Sequence, residues 1–94
     1  MALTSTRLAE LDIELPTVAA PIASYIPARR IGGLIQTSGQ LPLVAGELSA
    51  TGKLGAEVSL EEGVAAARAA ALNALAAVAA QAGGVDGISA VARV

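Results

Sequence analysis

Ile31-Gly32-Gly33-Leu34-Ile35-Gln36-Thr37-Ser38-Gly39-Gln40-Leu41-Pro42 holds a turn, a strand and the end of that strand in one run. Gly32-Gly33 is a two-residue hairpin turn, because both residues tolerate positive φ. Behind it, Ile22 to Ile31 reads as a strand with a kink or edge position at Pro27, and Leu34 to Ser38 pairs back on it. On the second strand Leu34, Gln36 and Ser38 share one face while Ile35 and Thr37 share the other, so Gln36 and Ser38 point together. Thr37 to Pro42 then closes the strand with hydroxyls, a glycine, an amide and a proline. Hydroxyls donate and accept, glycine lets a ligand approach the backbone, and proline stiffens the turn.

Outward from the hairpin, Ser5 or Thr6 can cap a short helix carrying Leu8 and Leu11. Asp12 to Pro16 then leads into a proline-bounded linker ending at Pro21, so residues 1–15 read as a helical appendage and 16–94 as the domain proper. Leu41 to Leu54 is a loop or weak strand with turn glycines at Gly46 and Gly52. Ser59-Leu60-Glu61-Glu62 is a capping box that starts a long helix. The helix runs to about Ala82 and stops at Gly83-Gly84, with Leu72, Leu75 and Val78 or Ala79 as its apolar stripe. Val85-Asp86-Gly87 turns the chain, and the alternation of Ile88 to Val94 predicts another strand. The order predicts an α+β layer with the long helix on one sheet face.

Composition narrows the chemistry. The chain has 94 residues, 54% of them hydrophobic, yet it lacks Phe and Trp, has Tyr25 as its one aromatic and is dominated by alanine. Ordering a residue costs roughly 1.5 kcal/mol and alanine returns little buried area, so the core is thin and burial against other subunits is expected. A net charge of −2 and a single tyrosine offer neither a phosphate footprint nor a base-stacking platform, which argues against nucleic acid. With no Cys and no His, thiolate, imidazole and the usual zinc and haem ligands are missing, leaving carboxylates, hydroxyls, arginine, backbone and water. The polar N-terminal stretch has no secretory h-region and the alanine-rich run is broken by Arg68 and Asn73, so a cytoplasmic protein with no membrane partner is expected.

Most candidate motifs have structural explanations. Gly52-Lys53 is followed by Leu54 and lacks Walker spacing. Glu61 and Glu62 complement the helix dipole, Asp86 is a turn residue, and Glu47 is undetermined, with solvent exposure the favoured reading. Arg29 and Arg30 point to opposite faces; solvation of both is expected, the alternative being that one meets a carboxylate of a neighbour or substrate, while Arg68 lies near the apolar stripe, its stem packed and its head either snorkelling to water or paired across an interface. Asn73, unfavourable in mid-helix, is expected to hydrogen-bond a loop carbonyl. Tyr25 and Ser38 are the pair of greatest interest, since the hairpin brings their strands together.

Ala20-Pro21-Ile22-Ala23-Ser24-Tyr25, then Gly32 to Pro42, then Ala67-Arg68 and Leu72-Asn73-Ala74-Leu75 together resemble the reactive-intermediate deaminase family, also called RidA or YjgF-like. The resemblance runs from about Pro16 to the end. It implies a chorismate-mutase-like α+β fold, assembly as homotrimers with clefts between subunits, and cofactor-free hydrolysis of small enamines and imines to 2-oxo acids and ammonia. By position, Tyr25 resembles the family's cleft tyrosine, and Ser38 and Gly39 its strand-end residues that bind a small carboxylate substrate. The family also includes members described as ribonucleases or translation inhibitors, a role this composition does not favour. The arginine that grips the substrate carboxylate and the carboxylate that orients water come, in the family, from a later half of the fold, and Arg93 is not equated with that arginine. No catalytic residue or metal ligand is assigned, and a non-catalytic binding or assembly module, or an inactive truncated chain, remain the alternatives to a deaminase.

Overall fold

The computed structural model describes residues 3–18 and 24–94. In chain order these form helix α1 (Thr4–Glu10), strands β1 (Ala28–Ile31), β2 (Leu34–Thr37), β3 (Leu43–Val44) and β4 (Glu47–Leu48), helix α2 (Leu60–Ala82) and a 3-10 turn (Val85–Gly87). β1 and β2 make one antiparallel hairpin and β3 and β4 a second. α2 lies against β1, β2 and β3, which is the expected α+β layer.

The first hairpin closes with Ile31 opposite Leu34 and Ala28 opposite Thr37. Its left-handed geometry falls on Gly32 alone, at φ 60°, the pattern of a type II′ turn. Strand β1 is shorter than Ile22 to Ile31. Ser24 to Pro27 bends, residues 19–23 lie outside the described residues, and the ladder opens only after Pro27, which has no N–H to donate. Beyond β2, the Ser38 amide still donates to the Pro27 carbonyl at 3.0 Å.

The expected weak strand in Leu41 to Leu54 is a small hairpin of two two-residue strands, with loop around it. Leu43 faces Leu48 and Val44 faces Glu47 around Ala45-Gly46, both at positive φ. Two consecutive left-handed residues make the type I′ turn that matches strand twist, and Gly46 serves there as anticipated.

Both ends of α2 follow from the sequence. Glu62 N–H donates to Ser59 Oγ, while Ser59 N–H donates to Glu62 Oε1, each at 3.1 Å. At the other end Gly83 adopts φ 77°, and Gly84 N–H donates to the Ala79 carbonyl. The inward stripe is rotated from the expected one. Asn73, Ala76 and Ala77 are buried, whereas Leu72, Leu75, Val78 and Ala79 are half-buried on either side. Small side chains take the centre because they let the helix approach the strands closely. Arg68 is exposed and Arg29 and Arg30 are solvated. By length and composition α2 could cross a bilayer, but its Asn73–Ala77 face lies on the strands.

The buried hydrophobic core of the described residues is Ala28, Val58, Ala76 and Ala77. Three of the four are alanines, so the thin core is real. Large apolar side chains remain exposed instead, including Ile31 and Leu34 on the outer face of the first hairpin and Leu54, Leu60 and Val64 near the start of α2.

Two further expectations are corrected. α1 starts from Leu3 with no side-chain cap, so neither Ser5 nor Thr6 caps it; both lie inside the helix. Its unsatisfied amides find an acceptor elsewhere: Ser5 N–H and Ser5 Oγ donate to the two carboxylate oxygens of Asp86 at 2.7 and 2.6 Å. Asp86 is thus more than a turn residue. Residues 88–94 form no strand, since among the described residues no neighbouring strand offers them a ladder.

Candidate functional site

The strand end Ser38-Gly39-Gln40 is held by three side-chain hydrogen bonds. Ser38 Oγ donates to the Pro27 carbonyl at 3.2 Å, and Gln40 Nε2 donates to the Ser38 carbonyl at 3.3 Å and to Ser38 Oγ at 3.4 Å. Pro27 has no amide to extend the ladder, so the end of the hairpin is completed by Ser38 binding one carbonyl twice, through backbone and side chain. The hydroxyl proton of Ser38 is committed, which leaves its oxygen with acceptor capacity only. Its proton is given to a backbone carbonyl rather than to a base, an arrangement suited to positioning and not to nucleophilic attack.

Gly39 sits exposed between these anchored neighbours. A Cβ placed there would meet no atom within 4 Å, and its φ is not left-handed, so the glycine is not explained by local backbone geometry. What it provides is an approachable backbone. Among the described residues its N–H has no intramolecular hydrogen bond, leaving a donor on the open side of a rigid strand end.

Asn73 supports this strand end from below. From its buried position on α2 its Nδ2 donates to the carbonyls of both Leu41 and Leu43 at 3.0 Å. The expectation of a loop-carbonyl partner is met twice over. Since Leu41 directly follows Gln40, this amide fixes the exit of the site to the helix. The bond spans about thirty residues of chain.

Tyr25 is exposed and lies two residues before Pro27, the partner of Ser38. Its ring makes no hydrogen bond to Ser38 among the described residues; the two are related through the Pro27 backbone. Gln36 is exposed on the outer face and does not bond Ser38, so their shared orientation produces no pair. What sequence reading missed is the role of Pro27 as acceptor and of Gln40 as clamp. A Pro at one strand end facing a Ser at the other, in the register set by Gly32-Gly33, was the available signal.

The two carboxyls whose titration is perturbed lie outside the Ser38–Gln40 corner. Hydrogen bonds from the Ser59 side hold the Glu62 carboxyl below its ordinary value, and those from the Ser5 hydroxyl and amide hold Asp86 below its own. Both groups are at helix termini. Among the described residues the one ion pair is Arg7 with Glu10 at 3.1 Å, on the exposed surface of α1. The strand end therefore supplies hydrogen-bonding geometry and an open backbone, without a proton-transfer group of its own.

A long helix laid across short antiparallel hairpins, ending in an open Ser-Gly-Gln corner, defines an α+β protein of chorismate-mutase-like fold. Residues 5–94 match the family described as "YjgF/chorismate mutase-like, putative endoribonuclease", and the chain belongs to that family. It is 37% identical over 90 residues to Protein TCP17 of Trypanosoma cruzi, a match covering 96% of this chain and 56% of that protein. Among solved structures, a putative endoribonuclease from Shewanella oneidensis MR-1 superposes with a TM-score of 0.81 at 39% identity, over 89% of this chain and 56% of the other. Atu1372 from Agrobacterium tumefaciens, of unknown function, superposes with a TM-score of 0.69 at 38% identity, over 83% and 46%. The chain thus spans about half the length of these relatives.

Proposed function

We propose that this chain contributes one wall of a hydrolytic deaminase site for small 2-imino acids and their enamine tautomers, facing a neighbouring subunit in a homotrimer. The observation that carries the reading is the Ser38-Gly39-Gln40 corner: two anchored side chains flank an exposed glycine whose N–H has no hydrogen-bond partner among the described residues. Such a corner suits a flat, polar substrate that must lie close to backbone. Gly39 N–H donates to a substrate oxygen, the Ser38 oxygen accepts from the imine nitrogen, and the Tyr25 ring borders the cleft. Water adds to the C=N carbon to give a carbinolamine; the C–N bond then breaks, the nitrogen leaves as ammonia with the added protons, and the 2-oxo acid remains. Holding the imine and water in attack geometry is the main contribution available to groups of this kind. A guanidinium gripping the substrate carboxylate and a carboxylate orienting the water complete the reaction from elsewhere in the assembled protein. Assembly is favoured by the exposed Ile31–Leu34 face, which gains from burial against another copy.

The test is ammonia release from freshly generated 2-iminopropanoate, followed against buffer, with sedimentation of the same sample. Acceleration by a monodisperse trimer supports the reading. No acceleration, or cleavage of RNA in its place, overturns it. One observation favours a second reading, a binding module without turnover: among the described residues no arginine hydrogen-bonds at the Ser38–Gln40 corner. Saturable binding of 2-oxo acids with no ammonia release would select that version.

A further inference from the structure

We propose that residues 3–18 form a detachable strap over the C-terminal end of α2, closed by a Ser5–Asp86 clasp, whose release uncovers an apolar face. The inference is independent of the catalytic reading. Four features support it.

First, α1 has seven residues and none of them is buried. An isolated helix that short is not stable in water, so α1 is helical only while docked. Second, α1 touches the 3-10 turn and no other helix or strand among the described elements. Its polar attachment converges on one carboxylate, which takes the Ser5 amide and hydroxyl on separate oxygens. Third, the catch is rigid. Gly84 N–H donates to Ala79, Gly87 N–H to Gly84, and Ile88 N–H to Val85, fastening the turn that carries Asp86 to the end of α2. A Cβ at Gly87 would run into the backbone carbonyl of Ala82, so the turn lies directly on the helix.

Fourth, the strap does not pack tightly where it crosses α2. Leu15, Pro16 and Val18 on its side and Ala76, Ala79 and Ala80 on the helix line a shallow, mainly apolar depression that is open to solvent. Close packing is what welds a segment into the core, and a solvent-open depression between strap and helix lacks it. A fixed catch, a marginal helix and a loose apolar span make a cooperative unit that opens below the cost of global unfolding. Opening uncovers the helix surface around Ala79 that Leu15, Pro16 and Val18 border in the closed state.

Hydrogen exchange read by mass spectrometry on the full chain tests this, with tryptic cleavage after Arg7 as a second readout. Asp86→Ala is expected to speed exchange across residues 4–18 and cleavage after Arg7 by roughly tenfold or more, while α2 keeps its protection. Ser5→Ala, which retains the amide bond and loses the hydroxyl one, is expected to fall between wild type and Asp86→Ala. Unchanged exchange over residues 4–18 in both variants would overturn the proposal. So would loss of protection in α2 parallel to that of the strap in Ser5→Ala, which would make the strap part of the global folding unit.

Discussion

Replacing Asn73 probes the join between the long helix and the candidate site. The residue is 2% exposed, and its amide group donates to two carbonyls at 3.0 Å, those of Leu41 and Leu43. Asn73→Ala removes both bonds at once. A buried carbonyl left without a donor costs about 1–3 kcal/mol, and two of them set the upper range. Leu41 is partly exposed, so water can repair its carbonyl more easily than that of Leu43. The expected loss is therefore about 2–4 kcal/mol. For a chain of 94 residues, total stability of about 5–14 kcal/mol makes that a large share. Equilibrium urea unfolding should show a lower midpoint with little change in slope. Asn73→Asp is the sharper variant, because it keeps the shape while presenting acceptors to acceptors. It should be worse than Asn73→Ala at neutral pH and recover partly in acid, where a neutral carboxyl can donate one O–H. A loss under about 0.5 kcal/mol for Asn73→Ala, on the scale of an ordinary surface change, would refute the reasoning. So would an Asp variant as stable as the Ala variant at pH 7.

Ser59→Ala removes the acceptor for Glu62 N–H and should destabilise by about 1 kcal/mol, read as a shift in thermal or urea midpoint. Gly39→Val should leave stability nearly unchanged, since a Cβ there meets open space, yet it should lower kcat/KM for imine hydrolysis or 2-oxo acid binding; unchanged catalysis or binding would remove Gly39 from the site. The pH dependence follows from Glu62 and Asp86, both held below their ordinary values by hydrogen bonds from Ser59 and Ser5. Folded carboxyls of lower pKa bind protons less readily than unfolded ones. Their stabilisation is therefore fully present above the unfolded carboxylate range near pH 4 and is lost as pH falls through the folded pKa values. Hydrogen exchange at low pH, corrected for intrinsic rates, should show α1 loosening as Asp86 is protonated, and Asp86→Ala should abolish that pH dependence.

Local signals proved the most legible. Ser59 and Glu62 announce the start of α2 and Gly83 its end, because capping is settled by neighbours within a few residues. The Gly32-Gly33 turn fixes the register that sets Ala28 against Thr37. Even the carbonyl-binding role of Asn73 could be anticipated, since a mid-helix asparagine has no local use. Reading the apolar stripe by side-chain size placed it on the leucines. Close approach to the strands selected Ala76 and Ala77 instead, as backbone proximity rewards small residues.

Short-range chemistry in the sequence wrote the long helix and its caps, the first hairpin and its turn, and the YjgF-like family. Packing of distant segments set the partners: Ser38 gives its hydroxyl to Pro27, Asn73 takes the carbonyls of Leu41 and Leu43 in particular, and Asp86 captures Ser5 across 81 residues. It also left residues 88–94 unpaired, although their alternation is that of a strand. The physical reason is common to all four. A donor's partner and a strand's neighbour are chosen by how distant segments pack, and one-dimensional spacing carries no record of that choice.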